Sequence, residues 1–273
     1  MARKTLSRRS TEEQEQFVPL PWHDRFETCV NSSRLTLLAG DPGVGKSFFT
    51  RHLARKLSGL DPVVIYGSPV TDVLQLFCHQ TLTASETGYC DGPLPTALKQ
   101  NRFLIIEEFA LIPVEVRDEL LAVRSGETRL LNKINKEWLE IPEGFRCICV
   151  SNRENIRCRR GVEGLRALLS DFLIEVVPPP DLETVRRFLK HRFKGRPEKT
   201  VERVMELFER YRTVEGREDS EKNPLTYRAA EKLMTLLEAG LPEHEAVRVA
   251  LVNQFILDED LHTAQTLKHD ISG

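Results

Sequence analysis

Two stretches of the chain carry residues whose types and spacing suit one chemistry. The first, LTLLAGDPGVGKS at 35–47, contains Gly40-x-x-x-x-Gly45-Lys46-Ser47, the Walker A pattern. Glycines reach backbone angles closed to other residues, so amide N–H groups can turn toward phosphate oxygens. A lysine here contacts the β- and γ-phosphates, and the next hydroxyl ligates Mg²⁺. An apolar run precedes the loop and an amphipathic pattern follows it. That places the loop at a helix N-terminus, where a partial positive charge favours anions. The candidate nucleotide contacts are Gly40, Asp41, Pro42, Gly43, Val44, Gly45, Lys46, Ser47 and Phe48. ATP and Mg²⁺ are the implied ligands. A chance glycine turn is the competing reading, and the flanking strand and helix argue against it.

The second stretch is RFLIIEEFAL at 102–111. Phe103 to Ile106 read as a buried strand that runs straight into Glu107 and Glu108. Two like charges at the end of an apolar strand cost free energy unless a cation lies there. Mg²⁺ of a bound nucleotide supplies one, because the C-terminal ends of parallel strands face the ligand. On this reading Ser47 and Glu107 hold the metal, Glu107 through water, and Glu108 orients and deprotonates the attacking water. An exposed acidic turn is the alternative. The first acid of such a pair is usually Asp, and Glu107 is one methylene longer.

These residues need a scaffold. Apolar strand-like runs recur at 35–39 (LTLLA), 63–66 (VVIY), 103–106 (FLII), 145–150 (FRCICV) and 172–177 (FLIEVV), with helical patterns between most of them. Nearly all-apolar strands alternating with helices predict a parallel sheet covered on both faces. VVIY lies between the two motif strands in sequence and suggests an extra strand between them in the sheet. The stretch 128–146 reads as a β-hairpin whose ends, TRLL and EWLEI, pair around a turn near Asn135 and Lys136. Pro178 to Pro180 end the alternation. Beyond them the pattern is helical, with Asp181 and Thr226 as N-cap candidates and Gly240 as a stop. The expected organisation is a disordered tail at 1–16, a nucleotide-binding core at 17–180 and a helical domain at 181–273.

Composition bounds the function. The chain has 273 residues, 39 Lys plus Arg against 41 Asp plus Glu, and a formal charge of −2, so overall charge gives no case for nucleic acid. The charged start lacks an apolar signal core, and no run approaches the ~20 apolar residues of a membrane span. The expectation is a cytoplasmic protein. The six cysteines lack paired CxxC spacing, so Cys147, Cys149 and Cys158 read as reduced residues rather than a zinc site. Asn132-Lys133-Ile134-Asn135 resembles a guanine-specificity signature but lacks its final acid, which leaves ATP as the nucleotide.

Asp91-Gly92-Pro93-Leu94, then Ala97-Leu98, then FLIIEEFALIP, resembles AAA+ ATPases of the MoxR type, relatives of the NorQ and CbbQ activases and of GvpN. The resemblance spans about residues 35 to 178. It implies a P-loop αβα sandwich followed by a small all-helical lid, in a ring that is hexameric. It assigns Asn152 to the sensor 1 role, Arg228 to sensor 2, 68–90 to the helix 2 insertion and 129–142 to the pre-sensor 1 insertion. It also implies an arginine reaching into the neighbouring subunit's ATP, but Asp171 stands where that arginine belongs. Arg159, Arg160 and Arg166 are the candidate substitutes. Their alternative is a basic surface for a protein or nucleic acid.

Three functions follow as expectations. The leading one is a chaperone-like activase that hydrolyses ATP to remodel a partner, such as a protein with a von Willebrand factor A domain. The second is a nucleic-acid-linked motor gripping its track with Lys133, Lys136 and Trp138. The third is an ATP-binding switch that scarcely turns over, motivated by Asp171.

Overall fold

The computed structural model describes residues 18–82, 87–153, 169–213 and 226–251. The proposed tail at 1–16 lies outside them. Contacts divide the chain into two compact units, Pro21–Pro178 and a second one built from Pro179 onward together with residues up to Leu20.

The first unit is a P-loop αβα sandwich. Its sheet joins β1 (Leu35–Gly40), β2 (Val63–Tyr66), β5 (Leu104–Glu107), β8 (Cys147–Asn152) and β9 (Leu173–Val177). All pairings are parallel, in the order β2-β5-β8-β1-β9. Every residue of β1 and β5 is buried. That is why these strands read as unbroken apolar runs rather than as alternation.

The strand between the two motif strands is β8, not VVIY. Chain order does not set sheet order in a parallel sheet with crossovers. VVIY forms the half-buried edge strand β2 and ends at Tyr66, which is exposed. β8 has five of its six residues buried and is covered on both sides by strands. Its Cys147 and Cys149 are free and buried on one strand face. Burial, reinforced by Cys147, drives the Cys149 thiol well above the ordinary thiol range, so it behaves as a small apolar group.

Helices α1 (His23–Ser32) and α2 (Lys46–Ser58) pack against β1. α2 starts after Gly45 and stops at Gly59, both at positive φ, and buries Phe49, Thr50, Leu53 and Ala54. That spacing of three and four residues is one helical face. α3 (Val73–Phe77) leads into a hairpin of β3 (Cys78–Leu82) and β4 (Thr87–Asp91), within the segment expected to hold an insertion. α4 (Pro93–Lys99) opens with proline at its first turn, where the missing N–H is not needed. α5 (Val114–Leu121) follows the acidic pair, then β6 (Arg129–Leu131) and β7 (Trp138–Glu140) form the second hairpin. Lys136 in its turn takes φ 61. Phe77, Phe109, Phe145 and Leu104 are central to the core beneath these elements.

The second unit contains α6 (Leu182–Arg192), α7 (Glu198–Thr213), α8 (Tyr227–Glu238) and α9 (Glu243–Ala250). Asp181 accepts a hydrogen bond from the Thr184 amide at 2.7 Å, and Thr226 accepts one from the Ala229 amide at 3.1 Å. These N-caps satisfy orphan amides at each helix start. Leu189, Phe208, Leu233 and Val247 meet in its own apolar core.

One buried group ties stability to pH. The His23 ring stacks on Phe49, with centroids 3.8 Å apart, and Trp22 meets it edge-on. Burial, then the nearby His52, pulls the His23 pKa down to about 3. In the unfolded chain it titrates near 6.5. Between those values the unfolded state binds a proton that the folded state refuses. Stability therefore falls as pH drops through about 6.5 toward 3. Denaturant midpoints of His23→Phe are expected to depend less on pH between 7 and 4 than those of the natural chain. Parallel profiles would refute this.

Candidate nucleotide site

The site forms where the C-terminal ends of β1, β5 and β8 meet the N-terminus of α2. Gly43 and Gly45 take φ of 83° and 90°, the left-handed angles that the phosphate-loop pattern requires. Gly40 is needed for a different reason. A Cβ there would come within 2.9 Å of the Val177 Cβ on β9, so the close approach of two strands excludes a side chain.

Lys46 is buried. Its Nζ donates to the carbonyls of Gly40 at 2.8 Å and Asp41 at 2.7 Å, and to Asn152 Oδ1 at 3.1 Å. The ammonium is thereby held over the loop. Asn152 ends β8, in register with Gly40. Its Nδ2 turns to Glu108 and donates to Oε1 at 3.3 Å and Oε2 at 3.4 Å. One asparagine thus links the loop lysine to the second acid. Glu108 has φ 53 and ψ 40, a left-handed conformation that few non-glycine residues adopt. Strain of that kind clusters at functional sites.

Glu107 is also buried. The Ser47 hydroxyl donates to its Oε2 at 2.7 Å. Its Oε1 is buried and has no hydrogen bond among the described residues. A hydroxyl against a carboxylate with one oxygen still lacking a hydrogen bond is the hard-oxygen donor set that suits Mg²⁺. The residues present fit that ion.

Three further residues shape the site and were not visible in the motifs. Gly67 follows β2, and a Cβ on it would lie 2.9 Å from both the Glu107 and Glu108 carbonyl oxygens and 2.6 Å from Ile112. Its amide donates to the Glu107 carbonyl at 2.8 Å. Arg51, one turn beyond Ser47 on α2, reaches Glu107 Oε1 at 3.5 Å and donates to the Tyr66 hydroxyl oxygen at 2.7 Å. Burial works against the Arg51 charge, but its Tyr66 and Glu107 neighbours outweigh that and hold its pKa above the ordinary arginine value. The four-residue step from Ser47 to Arg51 on an amphipathic helix was the available signal.

The structure brings Lys46, Ser47, Glu107, Glu108 and Asn152 together. Of the other loop candidates, Val44 is buried and Phe48 is 43% exposed. Arg228 is exposed on α8 in the helical unit. Arg159, Arg160 and Arg166 lie outside the described residues, as does Cys158. Asp171 is exposed before β9. Among the described residues, no helix is long and apolar enough to cross a membrane.

Comparison with known proteins bears on the family and the fold. The family model for the AAA domain (dynein-related subfamily) matches residues 36–172. The uncharacterized protein YehL of Escherichia coli strain K12 is 28% identical over 205 residues, 68% of this chain and 55% of its own length. The chain thus spans little more than half of that relative. The uncharacterized protein SH1500 of Staphylococcus haemolyticus is 22% identical over 90% of this chain and 92% of its own. A solved structure of a candidate ATPase from Cytophaga hutchinsonii shares the fold, with a TM-score of 0.50 and 13% identity over 99% of this chain and 84% of its own.

Proposed function

From the premise that the chain belongs to the AAA domain family, dynein-related subfamily, we propose that it hydrolyses ATP within a ring, as MoxR-type activases do, to remodel a partner protein. The observation that carries the chemistry is the Asn152 bridge between Lys46 and Glu108. It puts the Lys46 ammonium and the Glu108 carboxylate, the phosphate ligand and general base of this reading, on either side of one polar side chain.

Lys46 and the amides of 43–47 would bind the phosphate groups. Glu108 accepts the proton of the attacking water, and Asn152 keeps that carboxylate turned toward the loop. Ser47 and Glu107 would hold Mg²⁺. That ion neutralises charge on the phosphoryl oxygens when bound. Arg228 is assigned to sensing the γ-phosphate. Arg159, Arg160 or Arg166 would complete the site of a neighbouring subunit, because Asp171 cannot stabilise developing negative charge.

Ring assembly as a hexamer and a partner with a von Willebrand factor A domain are supported by the MoxR resemblance. The insertion hairpin weighs against a nucleic-acid motor. Lys133 is engaged by Glu119, and the Arg129 guanidinium lies 4.6 Å from the centre of the Trp138 ring, over a face that a base would need. ATPase specific activity is expected to rise with protein concentration, because the site needs an arginine from its neighbour. Flat activity from nanomolar protein upward, with monomers shown by sedimentation, would refute the shared site. Tight ATP binding without turnover even at high concentration would favour the switch.

A further inference from the structure

We propose that Arg51 is a positioning residue that divides the Glu107 carboxylate with the metal: it fixes that carboxylate when Mg²⁺ is absent and competes with Mg²⁺ for it when nucleotide binds. This rests on the nucleotide-site reading above. The two oxygens of Glu107 have different neighbours. Oε2 accepts the Ser47 hydroxyl at 2.7 Å, and Oε1 faces the Arg51 guanidinium at 3.5 Å. The Glu107 side chain is only 7% exposed, and among the described residues Arg51 is the cation paired with it. A buried carboxylate is costly without a cation nearby, so the Arg51 guanidinium on one oxygen and the Ser47 hydroxyl on the other hold the Glu107 carboxylate in place before metal arrives.

Arg51 is itself anchored. Its Nη2 donates to the Tyr66 hydroxyl oxygen at 2.7 Å, and its guanidinium carbon lies 5.8 Å from the Tyr66 ring centre. Tyr66 ends edge strand β2 and pairs in register with Glu107 across the sheet. Arg51 therefore runs from one strand end to the neighbouring one over the start of α2. The extra methylene of Glu107 gives its carboxylate more rotamers than aspartate would have. An arginine on one side and a serine on the other select among them. This offers a physical reason for glutamate at a position where aspartate is usual.

Because Arg51 and Mg²⁺ share one carboxylate, removing Arg51 should make the metal-free site less stable and the metal-bound site nearly unaffected. By linkage, apparent Mg²⁺ affinity must then rise. The full-length chain and its Arg51→Met, Glu107→Gln and double variants are melted with ADP in EDTA and with ADP plus Mg²⁺, following the transition that nucleotide shifts. In EDTA, Arg51→Met is expected to lower the midpoint by roughly 3–6 °C. The same change in the Glu107→Gln background should cost less than half as much. Half-saturating Mg²⁺ for fluorescent ADP binding should fall about threefold to tenfold in Arg51→Met. Arg51→Lys should restore the natural value. Should Arg51→Met not fold, Arg51→Gln removes the charge while keeping a donor for Tyr66, with the same shifts expected. Equal losses in both Glu107 backgrounds, or half-saturating Mg²⁺ unchanged or raised, would overturn the proposal. If the natural chain binds no nucleotide, the nucleotide reading fails. The EDTA melts of the four proteins then still decide whether Arg51 and Glu107 are coupled.

Discussion

Glu108→Gln is expected to lower ATP turnover at least 100-fold, on the order of what removal of a general base costs, while nucleotide affinity stays within a few-fold. Glutamine is nearly isosteric and can still meet the Asn152 amide, which now donates to both Glu108 oxygens. What it cannot do is take a proton from water. The left-handed backbone at Glu108 is unchanged by the substitution, so the turn into the short helix at Phe109–Leu111 should survive. Steady-state phosphate release and equilibrium binding of a fluorescent ATP separate the two quantities. A variant that hydrolyses at the natural rate would remove Glu108 from the chemistry. A variant that loses binding as well would point to a structural role.

Lys46→Ala should act on the other half of the site. Truncating a buried, hydrogen-bonded charge typically costs 2 kcal/mol or more, which is about 30-fold in affinity. Here two carbonyl oxygens, of Gly40 and Asp41, and the Asn152 amide oxygen would lose a charged donor at the same time. ATP affinity is therefore expected to weaken at least about 30-fold, and turnover with it. Asn152 loses its anchor too, so Glu108 should be less well oriented at saturating ATP. An unchanged dissociation constant, measured by calorimetry, would contradict the placement of Lys46 on the phosphates.

These two expectations use residues that could be read directly from the sequence, because local rules determine them. The glycine spacing with its flanking strand and helix located the loop. The apolar run into Glu107 and Glu108 located the acids, since adjacent carboxylates at the end of a buried strand cost free energy unless a cation lies there. Asp181 and Thr226 were legible as caps because a cap depends on the residue three positions along. Sheet order was less accessible. VVIY lies between the motif strands in sequence, yet β8 takes that place in the sheet, and nothing local in either strand encodes which neighbours it will have. The half-exposed character of β2, ending in an exposed tyrosine, is a property of the finished edge.

Arg51 and Gly67 illustrate a second limit. Arg51 reads as one more charge on an amphipathic helix, and Gly67 as a turn residue after a strand. Their relevance comes from the pairing of β2 with β5, which brings Tyr66 beside Glu107. That pairing joins residues about 40 positions apart. A residue proposed to come from another subunit is further still from what one chain's sequence displays. Asp171 could be seen as an arginine missing from its usual place, but not what replaces it.

Hydrolysis of ATP by the Lys46, Asn152 and Glu108 constellation can be read from what the protein retains: the natural chain and Glu108→Gln are each incubated with Mg²⁺ and radiolabelled ATP, free nucleotide is removed, and the bound nucleotide is identified. Intact ATP is expected on Glu108→Gln and ADP on the natural chain. ADP on both, or no nucleotide on either, would contradict it.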